Sequence, residues 1–328
     1  MAAAHATILQ SIDSMSVVGL VEGVRSLPAH LHLLRKIQRH FRQHRYDLAV
    51  LIDYPGFHLR VAAAAHRAGI PVLYYIAPQM WAWGDWRVRS LRENVASLAV
   101  ILPFEEQFFR DRGVTAEFVG HPLLDRPMGR DRAALCDELN LGEKASVLGL
   151  LPGSRSHEVR RLWPAFRDAA IQLRHAEPEI QIVVAAIHGI HYPGGDGFLF
   201  LRDRSHDVLA ASDVAICKSG TTTLEAALLE TPMVVAYRMH PLSYAVARRA
   251  IRVSNVGLVN LLAGRSVAPE LLQQSVTAQN LFEAVRPLLN RWGEAATEQR
   301  RAFGEIRDML GRPGVGARVA DLACKLVT

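Results

Sequence analysis

Val147-Leu-Gly-Leu-Leu-Pro-Gly-Ser-Arg155 is the stretch on which the fold turns. Its first five residues carry no polar side chain, the pattern of a strand buried on both faces of a parallel sheet. A Pro-Gly turn stops the strand, and a helical pattern opens through His157-Glu158-Val159. Strand, tight turn and helix together make one βα unit. Free N–H groups at the start of such a helix attract anions, and an arginine adds a fork of donors suited to phosphate oxygens. An ordinary turn, with Ser154 capping the helix and Arg155 solvated, fits the same residues.

Working outward, hydrophobic runs at 180–186, 214–217 and 233–237 continue the series on the C-terminal side. On the N-terminal side, runs at 48–52, 72–76 and 97–102 alternate with helical patterns at 59–68 and 105–112. Two series of this kind predict an α/β protein with two Rossmann-like parallel-sheet domains. The 328 residues, half of them hydrophobic, suffice for two ordinary cores. A polar segment at 127–144 places the expected boundary between residues 1–137 and 138–328, with the C-terminal helix expected to pack back on the first domain.

A second strand-to-helix junction is Val214-Ala-Ile-Cys-Lys-Ser-Gly-Thr-Thr-Thr-Leu-Glu225. Gly220 permits close backbone approach, and the hydroxyls and N–H groups of Ser219 and Thr221 can face a phosphate. Glu225 can accept hydrogen bonds from a ribose; its plain alternative is a capping partner for Thr222. Two such turns in one half favour a nucleotide site over either alone. Neither a Walker A lysine motif nor a Gly-x-Gly-x-x-Gly fingerprint is present, which argues against an NTPase or a dinucleotide oxidoreductase.

In the first half, Leu51-Ile-Asp-Tyr-Pro-Gly-Phe57 sets Asp53 at the carboxyl end of a strand, where open α/β sheets place their ligands. A carboxylate there suits a general base, or simply a turn before Pro-Gly. His121, beyond a short strand pattern, is open to a structural or a functional reading. Trp81, Trp83 and Trp86, beside Arg87, suit a sugar, acyl-chain or interfacial surface, and equally a buried loop. With no Asp-x-Asp and no His-rich pattern, no metal is expected, so N–H groups and arginines would have to stabilise a departing diphosphate.

The net charge of +6 favours anionic partners. Much of it lies in residues 23–46, where Arg25, Arg35, Lys36, Arg39, Arg42 and Arg45 occur without one acidic residue. This is a solvated helix face or a dock for anionic lipid headgroups. Nucleic acid has no supporting motif. Cys136, Cys217 and Cys324 are too scattered for a disulfide framework and point to a reducing cytosol. The N-terminus lacks signal-peptide character, and the most apolar stretches are about half the ~20 residues a bilayer span needs.

Nine blocks then resemble the lipid-A-disaccharide synthases, in that family's order: Ser16-Val-Val-Gly-Leu-Val-Glu22, Ile52-Asp-Tyr-Pro-Gly-Phe57, Pro78-Gln-Met-Trp-Ala-Trp83, Leu102-Pro-Phe-Glu105, Phe118-Val-Gly-His-Pro122, Leu150-Leu-Pro-Gly-Ser-Arg155, Ser219-Gly-Thr-Thr-Thr-Leu-Glu225, Pro232-Met-Val-Val-Ala-Tyr-Arg238 and Asn260-Leu-Leu-Ala-Gly-Arg265. The resemblance implies a GT-B fold and an inverting, cofactor-free transfer of 2,3-diacylglucosamine. The donor is its UDP derivative, UDP-2,3-diacylglucosamine. The acceptor is 2,3-diacylglucosamine 1-phosphate, and the products are the β-1,6 disaccharide 1-phosphate and UDP.

It further implies Asp53 as the base and Arg155, with Ser154, at the leaving diphosphate. Ser219, Gly220, Thr221, Glu225, Asn260 and Arg265 are implied at the nucleotide, and Trp81, Trp83, Trp86 and Arg87 towards acceptor or membrane. The implied location is cytoplasmic, peripheral to an anionic inner-membrane surface. Relatives open with a strand, a Gly-Glu-x-Ser-Gly-Asp loop and a helix that have no counterpart here, so an incomplete first domain is expected. His58, where many relatives have Asn, and residues 188–197 also depart from the pattern. A non-catalytic UDP-sugar- or lipid-binding remnant, or another GT-B enzyme such as a UDP-GlcNAc epimerase, are the alternative readings.

Overall fold

In the computed structural model the described residues are 7–10, 20–82, 84–127, 131–142, 145–239, 244 and 256–327, with side chains left aside for 20–26. Trp83 and most of the Ser16–Glu22 block lie outside them. The chain divides into two compact units: Met1–Val119 with Val315–Thr328, and Gly120–Gly314.

In the first unit, β1 (Ala49–Ile52), β2 (Val72–Tyr75), β3 (Ser97–Val100) and β4 (Ala116–Phe118) form a parallel sheet in chain order. Parallel strands need crossovers, here α2 (Pro55–Arg67), α3 (Val88–Asn94) and α4 (Pro103–Arg110). Alternate residues point to opposite faces. Leu51, Val72, Tyr74, Leu98 and Val100 meet Phe57, Val61 and Ala65 of α2 on one face. Leu73, Ala99 and Val119 meet Val315 and Leu322 of α12 (Val315–Val327) on the other. Arg318 of α12 donates to the Val119 carbonyl at 2.8 Å. β1 is the exception: Val50 and Ile52 are 45% and 43% exposed. The long basic helix α1 (Leu20–Gln43) packs through Leu33, Leu34, Ile37 and Phe41. Leu27 and Leu31, which share the expected apolar spacing, are exposed.

In the second unit the order is β10-β9-β8-β5-β6-β7, all parallel. The strands are β5 (Val147–Leu151), β6 (Gln181–Ala186), β7 (Leu199–Arg202), β8 (Val214–Lys218), β9 (Met233–Tyr237) and β10 (Glu270–Leu272). From β5 the chain winds outward to β6 and β7, then returns to β8 on β5's other side. The β5/β8 junction is therefore a topological switch point, where loops at the carboxyl ends diverge and leave a crevice. The core joins the inner strands to α6 (Ser156–Ala176) and α10 (Ala278–Leu289).

The expected boundary after residue 137 is corrected to Val119. Helix α5 (Arg132–Glu138) packs on α7 (Ser205–Ala211), and Arg132 pairs with the buried Asp213 at 2.8 Å. These contacts hold residues 120–137 in the second unit. None of them is visible as local pattern.

Candidate active site

Asp53 leaves β1 at its carboxyl end with φ +51°, and Tyr54 follows at φ +50°. Two successive non-glycine residues in the left-handed region store strain, and the surrounding bonds have to hold them there. The Asp53 N–H donates to Tyr75 O at 2.9 Å. Its carbonyl accepts from Tyr74 Oη at 2.7 Å and lies 2.8 Å from His58 Nδ1. A carbonyl only accepts, so Nδ1 carries the proton. Burial lowers the His58 pKa against the raising pull of the Asp53 and Ile52 backbone and the Asp53 charge, which keeps the ring neutral. Tyr54, in turn, is bonded to His30. The backbone is thus fixed while the Asp53 side chain stays exposed.

Trp81 is half-buried: its Nε1–H donates to Glu105 Oε1 at 2.9 Å and its ring meets Phe104 edge-on. Glu105 is 1% exposed, and burial pushes its pKa up to about 7 against the Trp81, Leu102 and Ile101 N–H groups. Trp81 thus packs partly into the unit and keeps part of its surface exposed. Trp86 is 81% exposed. Burial lowers the pKa of the half-buried Arg87, with the charge of neighbouring Tyr74 acting the other way.

In the second unit the two glycine turns follow adjacent strands, β5 and β8. After β5, Gly153 has φ +127°, and a Cβ there would fall 2.7 Å from Glu158 Oε2. Only glycine lets that carboxylate fold back under the turn. Glu158 Oε2 accepts the Ser154 N–H at 3.2 Å, while Oε1 meets Lys218 Nζ at 2.9 Å and Arg155 Nη1 at 3.4 Å. Burial would raise the Glu158 pKa, but these cations and the Ser154 N–H outweigh it and hold the pKa low. Arg155, not Ser154, is the N-cap residue of α6, so the plain capping role for Ser154 is corrected. Ser154 and Arg155 are exposed.

After β8, Gly220 at φ +147° is the N-cap of α8 (Thr221–Leu228), and Thr221 is exposed at its start. The Ser219 hydroxyl donates to Val256 O at 3.1 Å. Glu225 lies 3.4 Å from Arg126 and 3.9 Å from His206 instead of capping Thr222. Asn260, on α9 (Leu258–Ala263), is 0% exposed. Its amide donates to Ala268 O and Glu270 Oε1 and accepts from the Val267 and Ala268 N–H groups. All four of its hydrogen-bonding positions are filled within the protein, which leaves its amide none for the direct nucleotide contact expected from the resemblance. Glu270 also accepts from Val256 and Gly257, which ties this loop to the carbonyl that Ser219 holds.

Arg265 pairs with Glu305 on α11 (Glu294–Met309) at 3.3 Å. It lines a pocket of about 580 Å³ with Leu271, Ala284 and Leu288, to which Arg155, Ser219 and Glu225 do not contribute. His121 is 4% exposed, accepts from Leu123 N at 3.3 Å, and has its pKa pushed down to about 4 by burial and Arg126. The pattern of residue types did not single out Glu158, Lys218 or Glu270. A charged residue ending a hydrophobic strand, as Lys218 does, is the one signal that was available.

The lipid-A-disaccharide synthetase family model matches residues 1–309. A lipid-A-disaccharide synthase from Anaeromyxobacter dehalogenans (strain 2CP-C) is 39% identical over 95% of this chain and 84% of its own length. One from Nitrosococcus oceani is 40% identical over 100% of this chain and 86% of its own. Among solved structures, the S. aureus MnaA–UDP co-structure aligns with TM-score 0.59 at 13% identity, covering 93% of this chain and 81% of that one. The spinosyn rhamnosyltransferase SpnG aligns with TM-score 0.53 at 16% identity, covering 92% and 78%. These structural likenesses carry the fold, two parallel-sheet units of the GT-B class. The family match over most of the chain shows more: the chain belongs to the lipid-A-disaccharide synthases, which are glycosyltransferases.

Proposed function

We propose that this chain transfers 2,3-diacylglucosamine from its UDP derivative to 2,3-diacylglucosamine 1-phosphate. The Asp53 carboxylate takes the proton of the acceptor 6-hydroxyl as that oxygen attacks the donor's anomeric carbon. The bond from that carbon to the diphosphate breaks, its electron pair leaves with UDP, and the centre inverts. Arg155, with the N–H groups that start α6 and α8, takes the charge that grows on the diphosphate. Glu225 accepts from the ribose. Ser219 and Asn260 act one step removed, by fixing the loop at Val256–Gly257.

The observation that carries this reading is the family match over residues 1–309, a range that includes the sequence blocks of Asp53, Arg155 and Glu225. The test is disaccharide formation from both lipid substrates, with Asp53→Asn as control. A wild-type chain that binds UDP but forms no disaccharide refutes the catalytic reading.

Membrane contact, in the same reading, belongs to the first unit. No helix among the described residues is long and apolar enough to cross a membrane. Exposed Trp86, Leu27 and Leu31 and the basic residues Arg35, Arg39 and Arg42 suit a peripheral attachment to an anionic cytoplasmic leaflet. Sedimentation with vesicles containing anionic lipid should retain the chain and release it as salt rises. Equal retention on neutral vesicles counts against this surface.

A further inference from the structure

We propose that Lys218 is a positioning residue: by neutralising Glu158, it leaves Arg155 available to a nucleoside diphosphate. The inference rests on the diphosphate reading of the two turns and adds to it a residue, on β8, that acts through Arg155 at the N-cap of α6.

The geometry gives the reason. Glu158 is wedged beneath Gly153, with its side chain 10% exposed, and cannot turn out to water without unmaking the turn. A buried carboxylate has to find a cation, since leaving it unpaired is strongly unfavourable. Two cations reach it. Lys218 Nζ, on a side chain 19% exposed, is the closer at 2.9 Å, with the Tyr237 ring 5.9 Å away. Arg155 Nη1 stands at 3.4 Å on a side chain 50% exposed.

The short contact belongs to the half-buried lysine and the long one to the exposed arginine. Arg155 is therefore only loosely held and keeps its remaining donors for a ligand. Without Lys218, Arg155 is the one ion-pair partner described for Glu158, and it would be drawn inward over the turn. The same carboxylate that supports Ser154 N–H would then compete with the diphosphate for the guanidinium.

This arrangement makes a prediction that a simple brace does not. In the full chain, Lys218→Gln should lower UDP affinity by roughly tenfold, the size of one charge-assisted contact. Affinity for uridine, which has no phosphate, should stay unchanged and so reports an intact unit. Lys218→Arg should keep wild-type affinity for UDP. Adding Glu158→Gln to Lys218→Gln should recover most of the loss, because it removes the competitor. Should Lys218→Gln fail to fold, Lys218→Met, which keeps a long unbranched stem without the charge, takes its place in both measurements.

Unchanged UDP affinity, an equal loss of uridine affinity, or a double variant no better than the single one would each overturn the proposal. A wild-type chain that binds UDP no better than uridine would instead remove the diphosphate reading itself. A wild type that prefers UDP, with Lys218 variants that prefer it equally, removes only the role of Lys218.

Discussion

Asp53 and Arg155 both follow a parallel strand, yet they are held by different means. Asp53 begins a left-handed pair of residues, its carbonyl held by Tyr74 and His58, just past β1, a strand that pairs with β2 alone among the described residues. Arg155 follows β5, which has β6 and β8 on its two sides, and answers to a buried carboxylate that Lys218 shares. The first unit fixes backbone and leaves the carboxylate exposed, which in the proposed reading lets it take a proton. The second fixes charge, which in the same reading lets a cation be lent to an anion. A base needs direction above all, whereas a leaving-group site needs a stable surplus of positive potential.

The largest test of this contrast is Asp53→Asn. Disaccharide formation should fall by about 10²–10⁴-fold, the usual contribution of a positioned base, while UDP affinity stays as it was. Loss of UDP affinity in that variant would break the division of labour. Next comes Arg155→Ala, expected to weaken UDP by roughly ten- to a hundredfold, with uridine unaffected. Unchanged UDP affinity would show that the α6 turn holds no diphosphate.

The smallest effect is on stability and has opposite signs in the two units. Glu105, raised from 4.5 to about 7, keeps its proton in the folded first unit after the unfolded chain has lost it. Its contribution is fully present below pH 4.5 and is lost as pH rises towards 7. His121, lowered from 6.5 to about 4, stays neutral in the folded second unit where the unfolded chain is protonated. Its contribution is present above pH 6.5 and is lost as pH falls towards 4. Each slope is bounded by about 1.4 kcal/mol per pH unit.

Amide exchange between pH 5 and 6.5, corrected for intrinsic rates, can follow each unit in the intact chain. His58 titrates against Glu105 in the first unit, so the readout is the difference made by Glu105→Gln there and by His121→Gln in the second. The two variants should flatten slopes of opposite sign. Slopes of the same sign would erase the contrast.

What the sequence disclosed follows the same division. Strands buried on both faces announce themselves as unbroken apolar runs, and β5, β8 and β9 lie close to where those runs predict. β7 and β10 are short, and β7 follows the Pro-Gly-Gly turn at 193–195, so neither offers a period to read. The unit boundary depends on Arg132 meeting Asp213, a pairing across 81 residues. At the site, glycine and hydroxyl turns were legible because their conformational needs are local. The Glu158–Lys218 pair joins two turns sixty positions apart. The enclosure of Asn260 depends on Glu270 arriving from the next strand, which no local pattern reveals; the contact with ligand expected there is implied by the family resemblance alone.

The wedge between Gly153 and Glu158 has a consequence for how this chain can vary. A methyl group at 153 would meet both Oε2 and Cβ of Glu158, at 2.7 and 2.8 Å, so shortening the glutamate side chain would relieve only the first clash. Position 153 is closed to other residues for as long as position 158 stays where it is. A saturation library of the β5–α6 turn should therefore return glycine at 153 in every active clone with Glu158, and any escape should carry a second change that shifts the first turn of α6. The two letters, five apart in the text, behave as a single character.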